Sequence, residues 1–179
     1  GHIKNKEIIK FKPRKRLSFF NRYRKNPNKK LPLEIKGLQP GLAVHFAECC
    51  LPLPGEDIFG ISEVDVGVII HSANCKKLIE DFSEDLWLSA TWKDVSIEQL
   101  FTSRIKISVV NEPGSLGMLA THIGDHGGNI INLNISEKSN DFFDMIFEMN
   151  LKNLDHLKTI IASLKEIDRV SMVKRLYIN

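Results

Sequence analysis

The sequence predicts an α+β protein of two small folded units: a ββαβ-type unit containing all the cysteines, then a βαββαβ unit of ferredoxin-like topology. Three observations carry that expectation. Short β-branched runs with period-2 alternation lie between residues 41 and 93. Between 103 and 179, two stretches with apolar residues at helical spacing alternate with further strand-like runs. The charge also reverses near residue 36, which sets an N-terminal arm apart from the rest. A chain of 179 residues is long enough for two small domains with separate cores. Its 42% hydrophobic and 26% charged residues place it in the globular class. No apolar run reaches the roughly 18 residues that a membrane span needs. No apolar block with a small-residue cleavage site follows the N-terminal lysines, so no secretory signal is expected. Three cysteines, two of them adjacent, make no disulfide framework and suit a reducing cytoplasm.

Residues 1–36 read as a basic linker. They hold 13 Lys or Arg against Glu7 and Glu34, a balance of +11, whereas the other 143 residues sum to −8. Phe19, Phe20 and Tyr23 are interleaved with this charge. The pattern suits a solvated, extended linker, and it also suits a segment that holds phosphates by charge and stacks on bases. Pro27, Pro32 and Pro40 argue against a helix at its exit.

The first unit is expected over 37–96. Leu42, Val44 and Phe46 alternate with Ala43, His45 and Ala47 as a strand with one buried face. Cys49-Cys50-Leu51-Pro52-Leu53-Pro54-Gly55 follows as a rigid loop. Ile58 to Ser62 and Val66 to His71 read as strands joined by a hairpin at Glu63-Val64-Asp65. Asn74 can cap a helix from Cys75 to Phe82, and Trp87 to Trp92 reads as a closing strand. An apolar core is marginal at this size, so something further should hold the unit together.

Cys49, Cys50, His71 and Cys75 offer three thiolates and an imidazole, a set that suits tetrahedral zinc. His71 and Cys75 lie four apart at a strand-to-helix junction, where both side chains can face one point. Adjacent cysteines are a less usual pair because their side chains diverge. The same four residues also suit buried, unreactive thiols beside a hydrogen-bonded histidine. His45 can substitute as a ligand, although its place in an alternating strand points it outward.

These residues carry a resemblance. The run Gly37-Leu38, Val44-His45-Phe46-Ala47, Cys49-Cys50, Pro52-Leu53-Pro54-Gly55, Ile58-Phe59-Gly60, Gly67 to His71 and Cys75 resembles the conserved-cysteine, zinc-finger-like domain of the long RelA/SpoT homologues. Those enzymes make and hydrolyse (p)ppGpp. This chain departs from the family's pattern at Glu56 and Asn74, where the family commonly has Asp, which touches any contact made by those carboxylates. The resemblance implies contact with ribosomal RNA as one role of this domain.

The second unit is expected over 101–179. Arg104 to Val110 alternates as a strand, Pro113-Gly114 turns the chain, and Ser115 is the expected N-cap of a helix bearing Leu116, Leu119, Ala120 and Ile123. Gly127-Gly128 ends that helix. Asn129 to Glu137 and Asp141 to Leu151 form two strands joined by a turn at Lys138-Ser139-Asn140. A helix from about Asn153 to Ile167 shows Leu154, Leu157, Ile160, Ile161 and Leu164 on one face, and Val170 to Ile178 closes the sheet. Two helices on one face leave a sheet edge uncovered, so self-association along that edge is expected.

The loop Asn111-Glu112-Pro113-Gly114-Ser115-Leu116-Gly117 joins a strand to a helix N-terminus, where free backbone N–H groups can receive a carboxylate. Asn129, followed by Ile130 and Ile131, can meet an α-amino group from a neighbouring subunit. A tight turn that binds nothing uses the same glycines. Asn111 to Leu116 together with Gly127-Gly128-Asn129-Ile130 resembles the signature loop and second turn of ACT domains. That resemblance implies a homodimer that binds a small effector at its interface and informs an attached enzyme. Long RelA/SpoT homologues end in this same order of domains, and in some members the ACT domain implies sensing of a branched-chain amino acid.

Neither a Walker-type loop nor a nucleophile elbow occurs, and Asp125-His126 reads as a polar helix end. The resemblance therefore implies a non-catalytic regulatory region of a (p)ppGpp synthetase/hydrolase with its catalytic domains upstream. Zinc is the candidate cofactor. An RNA-binding module and a plain dimerisation element are the alternatives.

Overall fold

The computed structural model describes residues 32–39, 41–76, 87–138 and 141–178. Most of the basic arm, most of the helix expected from Cys75 to Phe82, and the tip of the turn at 139–140 lie outside the described residues.

Strand β1 (Leu33–Ile35), β2 (Val44–Phe46), β3 (Ile58–Glu63), β4 (Gly67–Ser72) and β5 (Trp87–Trp92) form one sheet in the order β1-β5-β3-β4-β2. The expected hairpin is present, with Glu63 opposite Gly67. The sheet is larger than a ββαβ unit on two counts. Leu33–Ile35, counted with the basic arm by its charge, is an edge strand antiparallel to β5. β2 runs parallel to β4, so Cys49-Cys50 follows directly from a strand beside His71. Leu42 lies before β2 and is 43% exposed rather than on the buried face. At Gly67, with φ near 111°, a Cβ would lie 2.2 Å from the Ala43 carbonyl oxygen, so only glycine lets β2 and β4 approach there.

Alternation gives this sheet two apolar faces. Ile58, Val68, Ile70 and Ala90 pack with Leu33 on one. Ala47, Cys50, Ile61 and Cys75 pack on the other, beside Phe59, Ile69, Trp87 and Tyr177. The first apolar cluster shares Phe46 and Trp92 with the larger core of the second unit.

The second unit follows the expected order: β6 (Phe101–Val110), α1 (Ser115–Asp125), β7 (Asn129–Lys138), β8 (Phe142–Leu151), α2 (Leu154–Lys165) and β9 (Val170–Arg175), in an antiparallel sheet ordered β7-β8-β6-β9. Ile105, Ile107 and Val109 of β6 meet Leu119 and Ile123 of α1 and Leu157, Ile160 and Leu164 of α2, all at or near zero exposure. Gly127 and Gly128 stop α1, their amides bonding back to Gly124 and Ile123 as in a Schellman motif. The side chain of Asn153 accepts the His156 amide at 2.8 Å and starts α2. β9 is shorter than expected: it ends at Arg175, the Leu176 amide still bonds to the Arg104 carbonyl of β6, and the Ile178 amide then bonds to Cys49 O of the cysteine loop.

Candidate metal centre and effector loop

Vicinal cysteines can share a target only if the backbone between them curls. It does: the Leu51 amide bonds to the Ala47 carbonyl at 2.9 Å, closing one helical turn across Glu48, Cys49 and Cys50. Successive side chains of such a turn are about 100° apart rather than opposed. Leu51, with φ near 46°, then takes the chain into Pro52. His71 arrives on the same face from β4, and the Cys75 amide bonds to the Ser72 carbonyl at 2.9 Å, which turns Cys75 back beneath it.

The four ligand atoms lie within 4.8 Å of one another. Cys49 Sγ is 3.6 Å from His71 Nδ1 and 3.5 Å from Cys75 Sγ, and Cys50 Sγ is 3.9 Å from His71 Nδ1. A zinc ion bound at ordinary lengths would set its ligands about 3.5 Å apart for S and N and about 3.8 Å for two S. The donor set and its edge lengths therefore fit a tetrahedral divalent ion. Cys50, Cys75 and His71 are at most 4% exposed, and an ion held by all four residues would have no open position, the arrangement of a structural rather than a catalytic ion. His45 lies outside the group, paired with Ile69 in β2.

Without an ion, these thiols share protons. The hydrogen bond from Cys50, with help from His71 and Cys75, outweighs burial and lowers the Cys49 thiol to about 4. Cys50, as the donor and more deeply buried, is pushed up. The Ser72 amide also points at Cys50 Sγ from 3.4 Å.

Other residues around this centre escaped sequence reasoning. Glu56 accepts both Nη atoms of Arg175 at 2.9 Å, the Ser72 hydroxyl at 2.9 Å, and the Leu53 amide. Both ion-pair side chains are nearly buried. Burial opposes the Arg175 charge, yet Glu56 more than offsets it, so the guanidinium is held above its usual value. Arg175 follows the alternating run of β9, and nothing local marks it as buried. The position of Glu56, where the family commonly has Asp, was the only signal available.

The loop over 111–117 is built as follows. The N-cap of α1 is Gly114, with φ near 86° and no side-chain cap bond, not Ser115. Ser115 is the first helical residue, 1% exposed, and its hydroxyl donates to the Val110 carbonyl at 2.8 Å. A side chain cannot cap the helix while it is turned back to the preceding strand. The Asn111 amide bonds to Asp141, Glu112 pairs with Arg169 at 3.2 Å, and Pro113 and Gly114 make the turn. Helix geometry leaves the Leu116 and Gly117 amides without intrahelical acceptors. Beyond their own chain neighbours and the helix backbone, nothing described lies within 4 Å of where a Cβ would stand at Gly114 or Gly117, so their outer side is open. Asn129, Ile130 and Ile131 begin β7 at the other end of α1, about 16 Å away along an 11-residue helix. Within one chain the two halves of the expected site are not brought together. His126 caps the end of α1, its Nδ1 2.8 Å from the His122 carbonyl, in keeping with a polar helix end.

Comparison with known proteins identifies both parts of the chain. Residues 33–93 match the RelA/SpoT RIS domain and residues 98–175 match the ACT domain. The chain is 34% identical over 148 residues to GTP pyrophosphokinase rsh of Brucella abortus (strain 2308), covering 82% of this chain and 20% of that protein. It is 28% identical over 144 residues to the bifunctional (p)ppGpp synthase/hydrolase SpoT of Escherichia coli (strain K12), covering 80% of this chain and 20% of that one. The chain thus spans about a fifth of the length of these curated relatives. Among solved structures, the crystal structure of the ACT domain from GTP pyrophosphokinase of Chlorobium tepidum is 24% identical, with a TM-score of 0.39, and covers 44% of this chain and 100% of its own. With a RIS domain followed by an ACT domain over most of its length, the chain is homologous to the C-terminal region of the RelA/SpoT homologues.

Proposed function

We propose that this chain is a non-catalytic, cytoplasmic regulatory region of a (p)ppGpp synthetase/hydrolase of the stringent response. In this reading it holds zinc at Cys49, Cys50, His71 and Cys75, pairs with a second copy through the ACT domain, and reports a small amino-acid effector to catalytic domains upstream. The observation that carries it is the split effector site. The open amides of Leu116 and Gly117 suit a carboxylate, while Asn129, which suits an α-amino group, lies at the opposite end of the same helix. An antiparallel two-fold pairing sets opposite ends of such a helix side by side, so each site would take its loop from one copy and its Asn129 from the other. Leu116, 40% exposed, with Ile130 and Ile131 supplies an apolar wall suited to a branched-chain side chain. Among the described residues no strand covers the outer edge of β7, which leaves that edge for the second copy.

Calorimetry with valine and isoleucine, combined with sedimentation equilibrium, tests this reading. The expectation is saturable heat, a dimer tightened by the ligand, and loss of both responses in Asn129→Ala. A chain that stays monomeric, or a dimer indifferent to both amino acids, would refute effector sensing. The basic arm favours a second reading, ribosomal RNA binding, whose signature is affinity that falls steeply with salt.

A further inference from the structure

Four consecutive backbone carbonyls of the cysteine loop are bonded by groups of the ACT domain and its C-terminal extension. Glu48 O accepts Arg104 Nη1 at 2.7 Å, and Cys49 O accepts the Ile178 amide at 2.8 Å. Cys50 O and Leu51 O both accept Arg175 Nη2, at 3.1 and 2.9 Å. Ile105 stands opposite Arg175 in the sheet, so Arg104 and Arg175 grip the loop from opposite faces of the sheet's end. Tyr177 packs among the cysteines, with the Arg175 guanidinium 5.1 Å from its ring centre. The circuit closes through Glu56, which joins Arg175 to the Ser72 hydroxyl, while the Ser72 amide points at Cys50 Sγ.

The turn at 47–51 that brings the sulfurs of Cys49 and Cys50 together is closed by its own Leu51 to Ala47 bond, and the groups that bond its next four carbonyls come from another domain. We infer that the end of the ACT sheet forms the outer layer of the metal centre, with Arg175 as its positioning residue, so that metal binding and docking of the two domains are one linked equilibrium. This rests on the metal reading above. Outer partners orient metal ligands and govern affinity without touching the ion. Linkage is reciprocal, so an ion that tightens when the ACT end is docked also tightens the docking. Lysine keeps the charge of Arg175 but cannot span Glu56 and two carbonyls with one planar fork.

The experiment is a cobalt(II) titration of the full chain with zinc competition, on wild type, Arg175→Lys and a remote core variant, Leu164→Ala. Wild type should give the absorption of tetrahedral thiolate-bound cobalt. Arg175→Lys should reach the same spectrum at saturation but bind zinc about 10- to 100-fold more weakly. Leu164→Ala, which loosens the ACT core but removes none of the groups that bond the loop's carbonyls, should bind as wild type does. Hydrogen exchange on the wild-type chain supplies a measurement that needs no variant to fold: removing zinc with a chelator should accelerate exchange of the Ile178 amide. Unchanged zinc affinity in Arg175→Lys, or Ile178 exchange indifferent to the chelator, overturns the inference and leaves the metal reading standing. A wild-type chain that takes up neither cobalt nor zinc overturns both.

Discussion

Single residues differ in how far their neighbours along the chain reveal their role. Gly67 reads in the sequence as one more residue of the strand from Val66 to His71, yet it is there for space: β2 runs parallel to β4 and the Ala43 carbonyl, which accepts the Val68 amide at 2.8 Å, fills the room a Cβ would need. Gly67→Ala is therefore expected to lower stability by about 1–3 kcal/mol from its backbone conformation alone, with the clash against Ala43 added. Urea unfolding of the metal-loaded chain would measure it, and a loss below about 0.5 kcal/mol would contradict the packing described. The four metal-ligand candidates were legible because cysteine and histidine are rare and their chemistry is narrow. Glu56 and Arg175 were not, since a buried ion pair between residues 119 apart looks, in one dimension, like two ordinary surface charges.

Secondary elements were easier to read where an element's own pattern decides it. In α2, Leu157, Ile160 and Leu164 at helical spacing and the cap at Asn153 agree with one another, and the helix lies within two residues of its expected ends. β1 failed that test: three residues in a basic context carry no periodicity and become a strand only because β5 offers an edge. The face of the ACT sheet away from the helices is polar and paired, with Arg104 3.3 Å from Glu148 and Lys106 2.7 Å from Asp144. Hydrogen bonds from Lys106 and then Ser108 hold the Asp144 carboxyl below its ordinary value of 3.8. A carboxyl depressed in the folded state stabilises the fold fully above that ordinary value, and the contribution is lost as the pH falls below it. Asp144→Asn should therefore cost about 1 kcal/mol at pH 7 and less as the pH falls below that ordinary value, as read from urea midpoints across the range. An equal cost throughout would show that the residue acts through packing instead.

At the scale of the whole molecule, the sequence suggests two cores and the structure joins them. Leu53, in the cysteine loop, has no exposure and lies inside the ACT core. Trp92 stacks on Phe46 at 5.6 Å and meets the Phe101 ring edge-on at 5.4 Å, so aromatic rings run from one domain into the other. The Trp92 indole N–H also reaches Glu56 O at 3.0 Å. The small sheet was expected to need help beyond its own apolar burial, and the ACT domain supplies that help along with any ion. A chain ending at residue 96 would expose Leu53 and strand the Glu56 carboxylate. It should show no cooperative thermal transition even with zinc, whereas the full chain should melt as one unit; a sharp zinc-dependent melt of the short chain would count against this. No described helix is long and apolar enough to cross a membrane. By itself the sequence determined the order of elements in the second unit, the four metal-ligand candidates and the turn at Pro113-Gly114, because periodicity, turn chemistry and rare ligand types act over a few residues. Only the tertiary structure decided that the vicinal cysteines converge with His71 and Cys75, and that Arg104, Arg175 and Ile178 bond the carbonyls of their loop. Each of these depends on contacts between segments far apart in the chain, where burial and geometry, not local pattern, choose the partner.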